Sequence, residues 1–464
     1  MENVRFSTKC ETVRKLRETN MKQIAVFMAF FICILSTDAI AQDIIKKGES
    51  LNLERCIEIA LKKQPNIAAA VGNVDVNASR VGQAKSNYYP QINWSSSYNR
   101  VSPASNRNFL SSTGATGSSG GITSSSGTSG SFDEYSTGFG LNQLIYDFGK
   151  TPAQVKIQNL NLDSSRSDLQ NTTDQIILTV KQAYYGVVQA KYNVLVAEDT
   201  VKQTSQHLDQ ARGFYEVGTH PKFDVIKAEV DSSNAKLNLI RNENALKISI
   251  VNLNNSMGIP DAPEYTIDEN MSFARYEITS EDALKKAYQN RPDLKSVVSK
   301  RQAAERSIEL AKTGYYPVLS GSASYSWSGE KISSLDHGWD VGAALSFPLF
   351  SGFLTKYQVE EAKANLDILK ANEESLKQTI FQEVHEAYLT LRAAEEAIPT
   401  AKLGVEQSQE NLDIANGRYK AGVGNPIEVT DAEVGLANSR TSYIQALYAD
   451  KVAQAALEKA MGMR

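Results

Sequence analysis

The sequence predicts a membrane β-barrel joined to a long α-helical barrel, built from a duplicated unit of helix, two strands and long helical hairpin. Three observations predict it: motifs recur at fixed offsets, four segments alternate with period two, and two runs of about 66 residues keep a helical rhythm with one proline each. The 464 residues are 41% hydrophobic with a formal charge of −4, which suits a folded chain and offers no basic excess for nucleic acid.

The duplication shows first in the turns. Leu208 to Glu229 reads LDQARGFYEVGTHPKFDVIKAE, and Asn411 to Glu433 reads NLDIANGRYKAGVGNPIEVTDAE, so Tyr215, Gly218 and Asp224 take the places of Tyr419, Gly422 and Glu428. In each, a helical run ends at a glycine that supplies positive φ, and a proline opens the next helix. Pro65, Tyr88, Tyr89 and Pro90 recur 227 residues later as Pro292, Tyr315, Tyr316 and Pro317. Tyr184, Gly218, Met257 and Gly258 recur 204 residues later as Tyr388, Gly422, Met461 and Gly462. The drop in offset implies an insertion in the first copy. A period this long is a duplicated domain and not a solenoid repeat.

In chain order, residues 1–41 read as a secretory leader. Lys22 precedes an apolar run, Ile24 to Leu35, too short to span a bilayer, and Ala39-Ile40-Ala41 fits a cleavage site that leaves Gln42 first. Met21 is a second candidate start. Of Cys10, Cys33 and Cys56, only Cys56 survives such a cut, so no internal disulfide is expected. An exported chain without disulfides depends on size and assembly for stability.

The first copy spans 42–270. Helical sequence from Leu51 to Lys85, divided at Pro65, gives way to strands at about 88–100 and 132–145. Ile92, Trp94 and Tyr98 share one face and Gln91, Asn93, Ser95 and Ser97 the other; Tyr135, Phe139 and Leu141 alternate with Glu134, Ser136 and Asn142. The second copy, 271–464, repeats this at about 316–328 and 338–350. There Tyr325 and Trp327 oppose serines, and Trp339, Val341 and Leu345 oppose Asp340, Gly342 and Ser346. Strands of about 10 residues, apolar on one face and small and polar on the other, suit a barrel in lipid. Trp94, Tyr98, Tyr135, Tyr325, Trp327 and Trp339 are the candidate girdle aromatics. Four strands cannot close a barrel, and eight make one filled by its own side chains, so a water-filled pore needs at least three chains. Pro103 to Ser131 is rich in Gly, Ser and Thr and is expected to be a flexible outer loop; Gly329 to His337 is the matching short turn.

Long helices follow each strand pair, at 149–216 and 353–419. At about 1.5 Å per residue each would reach roughly 100 Å, too long for a compact domain. Ile380, Val384, Ala387, Leu391, Ala394 and Ile398 keep a four-three spacing, as do Ile176, Val180, Ala183, Val187, Ala190 and Val194, which is the rhythm of a helix seam. Pro399 is expected to kink its helix locally. Hairpin tips at 216–223 and 420–427 lead into return helices ending near 258 and 463, and Ser280 is expected to cap the helix after the linker.

The two tips, the two Tyr-Tyr-Pro junctions and the doubled element order resemble the TolC-type outer-membrane efflux proteins over nearly the whole chain beyond the leader. The resemblance implies a homotrimeric channel-tunnel, with a shared barrel in outer-membrane lipid and a helical tunnel through the periplasm. It implies a passive duct for efflux or type I secretion, served by a periplasmic adaptor and an inner-membrane transporter. It places the pore constriction at acidic rings formed by Glu428 and Asp431, whose i, i+3 spacing puts them on one helix face. Acidic residues in a first turn also simply complement the helix dipole. The family's tip latch maps onto Asp224 and Tyr419, while its arginine position is Gly424, so the charged link is missing; Gly218, Gly422 and Gly424 fall where the adaptor docks.

No enzyme is expected. His207, His220, His337 and His385 are scattered without metal-ligand spacing, no nucleophile turn or phosphate loop is present, and neither metal nor cofactor is implied. The competing class is a non-conducting structural or adhesive envelope coiled coil, which would not need four amphipathic strands.

Overall fold

The computed structural model describes residues 45, 46, 48–102, 131–268 and 271–463. The expected leader with its cut after Ala41, Cys10 and Cys33, and loop residues 103–130 lie outside the described residues. The chain divides into a small unit, Met1–Glu49 with Pro263–Thr266, and a large one, Ser50–Ala262 with Ile267–Arg464. In the small unit Gly48 N–H donates to the Glu264 carbonyl (2.8 Å) and Thr266 N–H to that of Glu49 (3.0 Å).

The elements in order are β1 (Ser50–Leu51), α1 (Leu53–Lys63), α2 (Pro65–Lys85), β2 (Gln91–Val101), β3 (Phe132–Tyr146), α3 (Lys150–Glu216), α4 (Lys222–Met257), β4 (Thr266–Ile267), α5 (Ser280–Asn290), α6 (Pro292–Lys312), β5 (Val318–Lys331), β6 (Ser334–Ser346), α7 (Leu354–Lys420) and α8 (Pro426–Ala460). Local chemistry explains the breaks. Pro65 and Pro292 stand at the first position of α2 and α6, where a missing N–H costs nothing. The cap of α5 is Thr279 and not the expected Ser280. Its hydroxyl accepts from Asp282 N–H (3.1 Å) and donates to the Asp282 carboxylate (2.8 Å), a reciprocal arrangement that Ser280 is one residue too late to make. The expected turn at Gly329–His337 is mostly strand; only Ile332 and Ser333 join β5 to β6.

Strands β2, β3, β5 and β6 form one antiparallel sheet in that order. Its register keeps the two faces separate through the middle of the sheet and shifts at Leu144/Tyr146 and Ser328/Lys331. Trp94 pairs with Phe139, Phe139 with Tyr325, and Tyr325 with Trp339, a continuous aromatic row. The next row on the opposite face runs Ser95, Gly138, Ser326, Gly338. Trp94 and Trp339 stay exposed, so none of the described residues covers this aromatic row.

Helices α3 and α7 are each 67 residues, roughly 100 Å at 1.5 Å per residue. Each packs against the return helix of its own copy, α4 or α8, and against the paired short helices before it. The seam expected from spacing is buried: Ile380, Val384, Leu391 and Ile398 on α7, and Ile176, Val180, Val187 and Val194 on α3. Each fully buried aliphatic chain contributes about 1.5–3 kcal/mol. Pro399 lies inside the helical span of α7, which continues through it. Across the copies, α3 also packs against α6 and α8. Among the described residues no helix is long and apolar enough to cross a membrane.

The linker after α4 is tied to the helices. The Tyr184 hydroxyl donates to the Asp268 carbonyl (2.7 Å), Tyr276 N–H to Glu395 (2.9 Å), and Arg392 to the Ile278 carbonyl (2.6 Å).

Candidate functional site at the hairpin tips

Both long hairpins turn on a glycine with left-handed backbone, Gly218 (φ 77°) and Gly422 (φ 73°). The chain returns the N–H of Thr219 to the Phe214 carbonyl (3.0 Å) and that of Val423 to the Arg418 carbonyl (3.1 Å), closing each helix end. In the second tip Asn425 then caps α8 by accepting from Ile427 N–H (2.9 Å), with Pro426 in the first turn.

Gly424 has a steric reason. A Cβ there would lie 2.8 Å from Tyr419 N and 2.9 Å from the Arg418 carbonyl carbon. The position that carries arginine in the resembling family is packed here against backbone and admits no side chain. The nearby arginine is Arg418, and its Nε reaches Glu428 Oε2 at 3.2 Å. Glu428 is thus a charge-compensated acid on an exposed rim, while Asp431, one turn on, is exposed.

Tyr419 is wholly buried at the end of α7, among Leu412, Ala415, Val429, Ala432 and Leu436. Its ring lies 5.1 Å from that of His207, 5.7 Å from Phe214 and 5.4 Å from His220, all from the first hairpin. Its hydroxyl has no hydrogen-bond partner. Burial, then the nearby Asp224 carboxylate, raises its pKa above the ordinary value. Asp224, in the first turn of α4, is itself buried. The fold therefore brings Asp224 and Tyr419 together across the two hairpins. Gly218 and Gly422 stay exposed at the turns, with nothing near their missing side chains.

Other residues join the hairpins that sequence reading passed over. Thr430 on α8 donates to Asp231 Oδ2 on α4 (2.9 Å), and Lys227 pairs with Asp231 Oδ1 (2.6 Å). Glu433, one turn from Thr430, is buried, and its pKa is pushed up to about 7 by burial and by the Asp231 carboxylate. Their signal was faint: Glu433 is one carboxylate between the apolar seam positions Ala432 and Leu436. Further along, Arg440 bridges to Asp199 (3.2 Å) and Lys181 to Glu458 (2.6 Å).

On the sheet, Tyr98 and Tyr135 pair at 5.0 Å, and Trp327 packs against Tyr325 (4.7 Å) and Phe139 (6.4 Å). A second aromatic level, absent from the candidate girdle, sits where strands meet long helices. Tyr146 contacts Phe148 (4.7 Å), Phe148 contacts Tyr316 (6.2 Å), and Phe350 contacts Phe353 (5.5 Å). Among the described residues no group of three or more His, Cys, Asp or Glu side chains could hold a metal ion.

Two 67-residue helices ending in paired tips, and carrying an open sheet with one aromatic and one small polar face, are the architecture of an outer-membrane channel protein. Residues 56–259 and 283–463 match the family model of the outer membrane efflux protein, and the chain belongs to that family. Curated relatives include the outer membrane protein TolC of Escherichia coli, 22% identical over 436 residues with 89% of this chain and 83% of that protein covered. Another is the probable efflux pump outer membrane protein TtgC of Pseudomonas putida, 22% identical over 423 residues, covering 88% of this chain and 82% of the relative. Among solved structures, the outer membrane protein VceC of Vibrio cholerae superposes with a TM-score of 0.76 at 18% identity, covering 89% of this chain and 96% of that one. The open-state MtrE outer membrane channel of Neisseria gonorrhoeae gives 0.73 at 18%, covering 92% and 94%.

Proposed function

We propose that three copies of this chain form a passive exit duct, each contributing four strands to a twelve-stranded barrel and two hairpins to a helical tunnel. The copies run 42–270 and 271–464 after a leader ending at Ala41. A periplasmic adaptor meets the tips around Gly218, Gly422 and Gly424, and an inner-membrane transporter supplies energy and cargo. Glu428 and Asp431 line the constriction, and Asp224 with Tyr419 forms part of its closure.

One observation carries the trimer: the contact between copies is satisfied on one flank only. On α8, Ile444 is 7% exposed and Ala455 4%, covered in part by α3; their equivalents on α4, Ile240 and Val251, are 62% and 64% exposed. Likewise Ile177 on α3 is 8% exposed and its equivalent Phe381 on α7 is 49%. The second copy sits against the first, but none of the described residues covers Ile240 and Val251 on the first copy's other flank. A head-to-tail contact of this kind closes into a ring when further copies repeat it. Two chains would give eight strands and a filled barrel, whereas three give a lumen that the serine and glycine face can line.

The test is native mass spectrometry of the detergent-extracted protein, paired with dye efflux from a host lacking its own outer-membrane channel. The expected result is a three-chain mass and restored efflux with a compatible adaptor and transporter. A monomeric mass would overturn the ring, and a trimer that cannot restore efflux would overturn the duct.

A further inference from the structure

The seam between the two tip hairpins buries two titratable groups of opposite type. Glu433 of α8 and His207 of α3 are each about 5% exposed. Facing them are Asp224, Lys227 and Asp231 of α4 and Tyr419 of α7, with the His220 ring of the first turn 5.4 Å from Tyr419, while the Arg212–Glu229 and Arg418–Glu428 pairs lie at the exposed rim. Lys227 is already paired with Asp231, whose other oxygen takes the cross-seam bond from Thr430. An ionised Glu433 would thus add a buried carboxylate beside the partly buried Asp231, whose pairing with Lys227 is already made. His207 Nδ1 is buried without a hydrogen-bond partner, so protonating the ring would leave a buried N–H unpaired. Burial favours the neutral form of both groups: neutral Glu433 carries a proton, and neutral His207 lacks one.

We propose that Glu433 and His207 act as a compensating acid–base pair in this seam. When the hairpins part, Glu433 releases a proton and His207 takes one up, so between about pH 4.5 and 6.5 the strength of the seam changes less than either group alone would make it.

The signs follow from linkage. Glu433 rises from its ordinary 4.5 to about 7 in the packed seam. Its contribution is full below pH 4.5 and is lost as pH rises through about 7. His207 is held below its ordinary 6.5, by burial and against the pull of Asp231 and Asp224. Its contribution is full above pH 6.5 and is lost as pH falls below that. Between 4.5 and 6.5 the two proton movements oppose each other. The proposal rests on the tips being the moving end of the duct.

The experiment places spin labels at Val217→Cys and Val423→Cys, both exposed tip positions, in the full chain in detergent, and reads the population of separated tips from pH 5 to 7.5. One linked proton changes a population by at most about tenfold per pH unit. From pH 5 to 6.5 the unaltered seam should change less than either single variant, and above 6.5 it should part more as Glu433 titrates alone; the Glu433→Gln/His207→Gln double variant should stay flat throughout. Glu433→Gln alone should part severalfold more on going to acid, and His207→Gln alone severalfold more on going to neutral. Single variants with flat or same-signed profiles, an unaltered seam as steep below pH 6.5 as a single variant, or one unchanging distance throughout would overturn the pair. Thr430→Val, which keeps both titrating groups, covers the case where a charge variant fails to assemble: its separated population should rise equally at every pH, and an acquired slope would contradict the proposal. These distances need no ion flow, so normal distances with no conductance would overturn the duct alone.

Discussion

Gly424 offers a sharp test of the tip, because two ways of thinking about it predict opposite results. By resemblance alone, Gly424→Arg restores a missing charged link and tightens closure. By geometry, any side chain meets backbone at 2.8–2.9 Å, and the segment it would displace holds two hydrogen bonds to the Arg418 carbonyl, from Val423 (3.1 Å) and Gly424 (3.0 Å). Losing both costs about 0.5–1.5 kcal/mol each, and overpacking costs about 1–3 kcal/mol. The sum, about 2–6 kcal/mol, shifts the ordered tip by a factor of roughly 30 to 20,000. Gly424→Ala introduces the same Cβ without the charge and should do nearly as much. Val423→Ala, at an exposed neighbour, is the control. The assays are hydrogen exchange of amides 417–428 and cellular uptake of a large antibiotic that the outer membrane normally excludes. Faster exchange and greater sensitivity are expected for both Gly424 variants. Tighter protection and lower sensitivity in Gly424→Arg would refute the steric argument.

Because Arg418 compensates Glu428, Asp431→Ala should reduce cation preference more than Glu428→Ala, and Arg418→Ala should raise it; equal effects in bilayer reversal potentials would remove the pairing argument. Arg291 is buried at the α5–α6 junction, bidentate to Asp293 (3.1 and 2.6 Å) and bonded to Glu383 (2.5 Å). Removing one partner of such a group costs about 3–5 kcal/mol. With about 2.1 cal/mol/K per residue over the roughly 420 residues beyond the leader, Arg291→Met should lower the apparent melting temperature by about 3–6 °C, and an unchanged transition would count against it. Burial acts to raise the Asp293 pKa, yet its bonds to Arg291 hold it below the ordinary 3.8, so its stabilisation is present above pH 3.8 and lost as pH falls through the lowered value. Finally, Trp94→Arg puts an arginine in the interfacial girdle at a cost of about 0–1 kcal/mol and should lower the yield of assembled channel up to severalfold, while Ser95→Arg on the opposite face should assemble fully with altered conductance; a larger assembly loss for Ser95→Arg than for Trp94→Arg would reverse the assignment of faces.

The fold was legible because its periods are long and repeated. Alternation over Ile92, Trp94 and Tyr98 reports a two-faced strand, and the spacing of Ile380, Val384 and Leu391 reports a seam, since side-chain direction follows from backbone period alone. Register is another matter. That Trp94, Phe139, Tyr325 and Trp339 form one row depends on how four strands align, which no single strand encodes. The tip was legible only where it is local. Glycine turns and the cap region announce themselves, but His207, Asp231 and Glu433 lie far apart in sequence and on different helices. Thr279 was missed for its neighbour because both are good caps, and only the reach to Asp282 decides between them. Gly424 read as a lost arginine until the backbone packed against it came into view.

The central claim is that this chain assembles into a conducting duct. Single-channel recording in planar bilayers, on a sample whose oligomeric mass is measured in parallel, tests it most directly. The account predicts a trimer passing small, cation-selective currents that polyvalent cations block. A trimer without currents, or currents from a species of other mass, would contradict it.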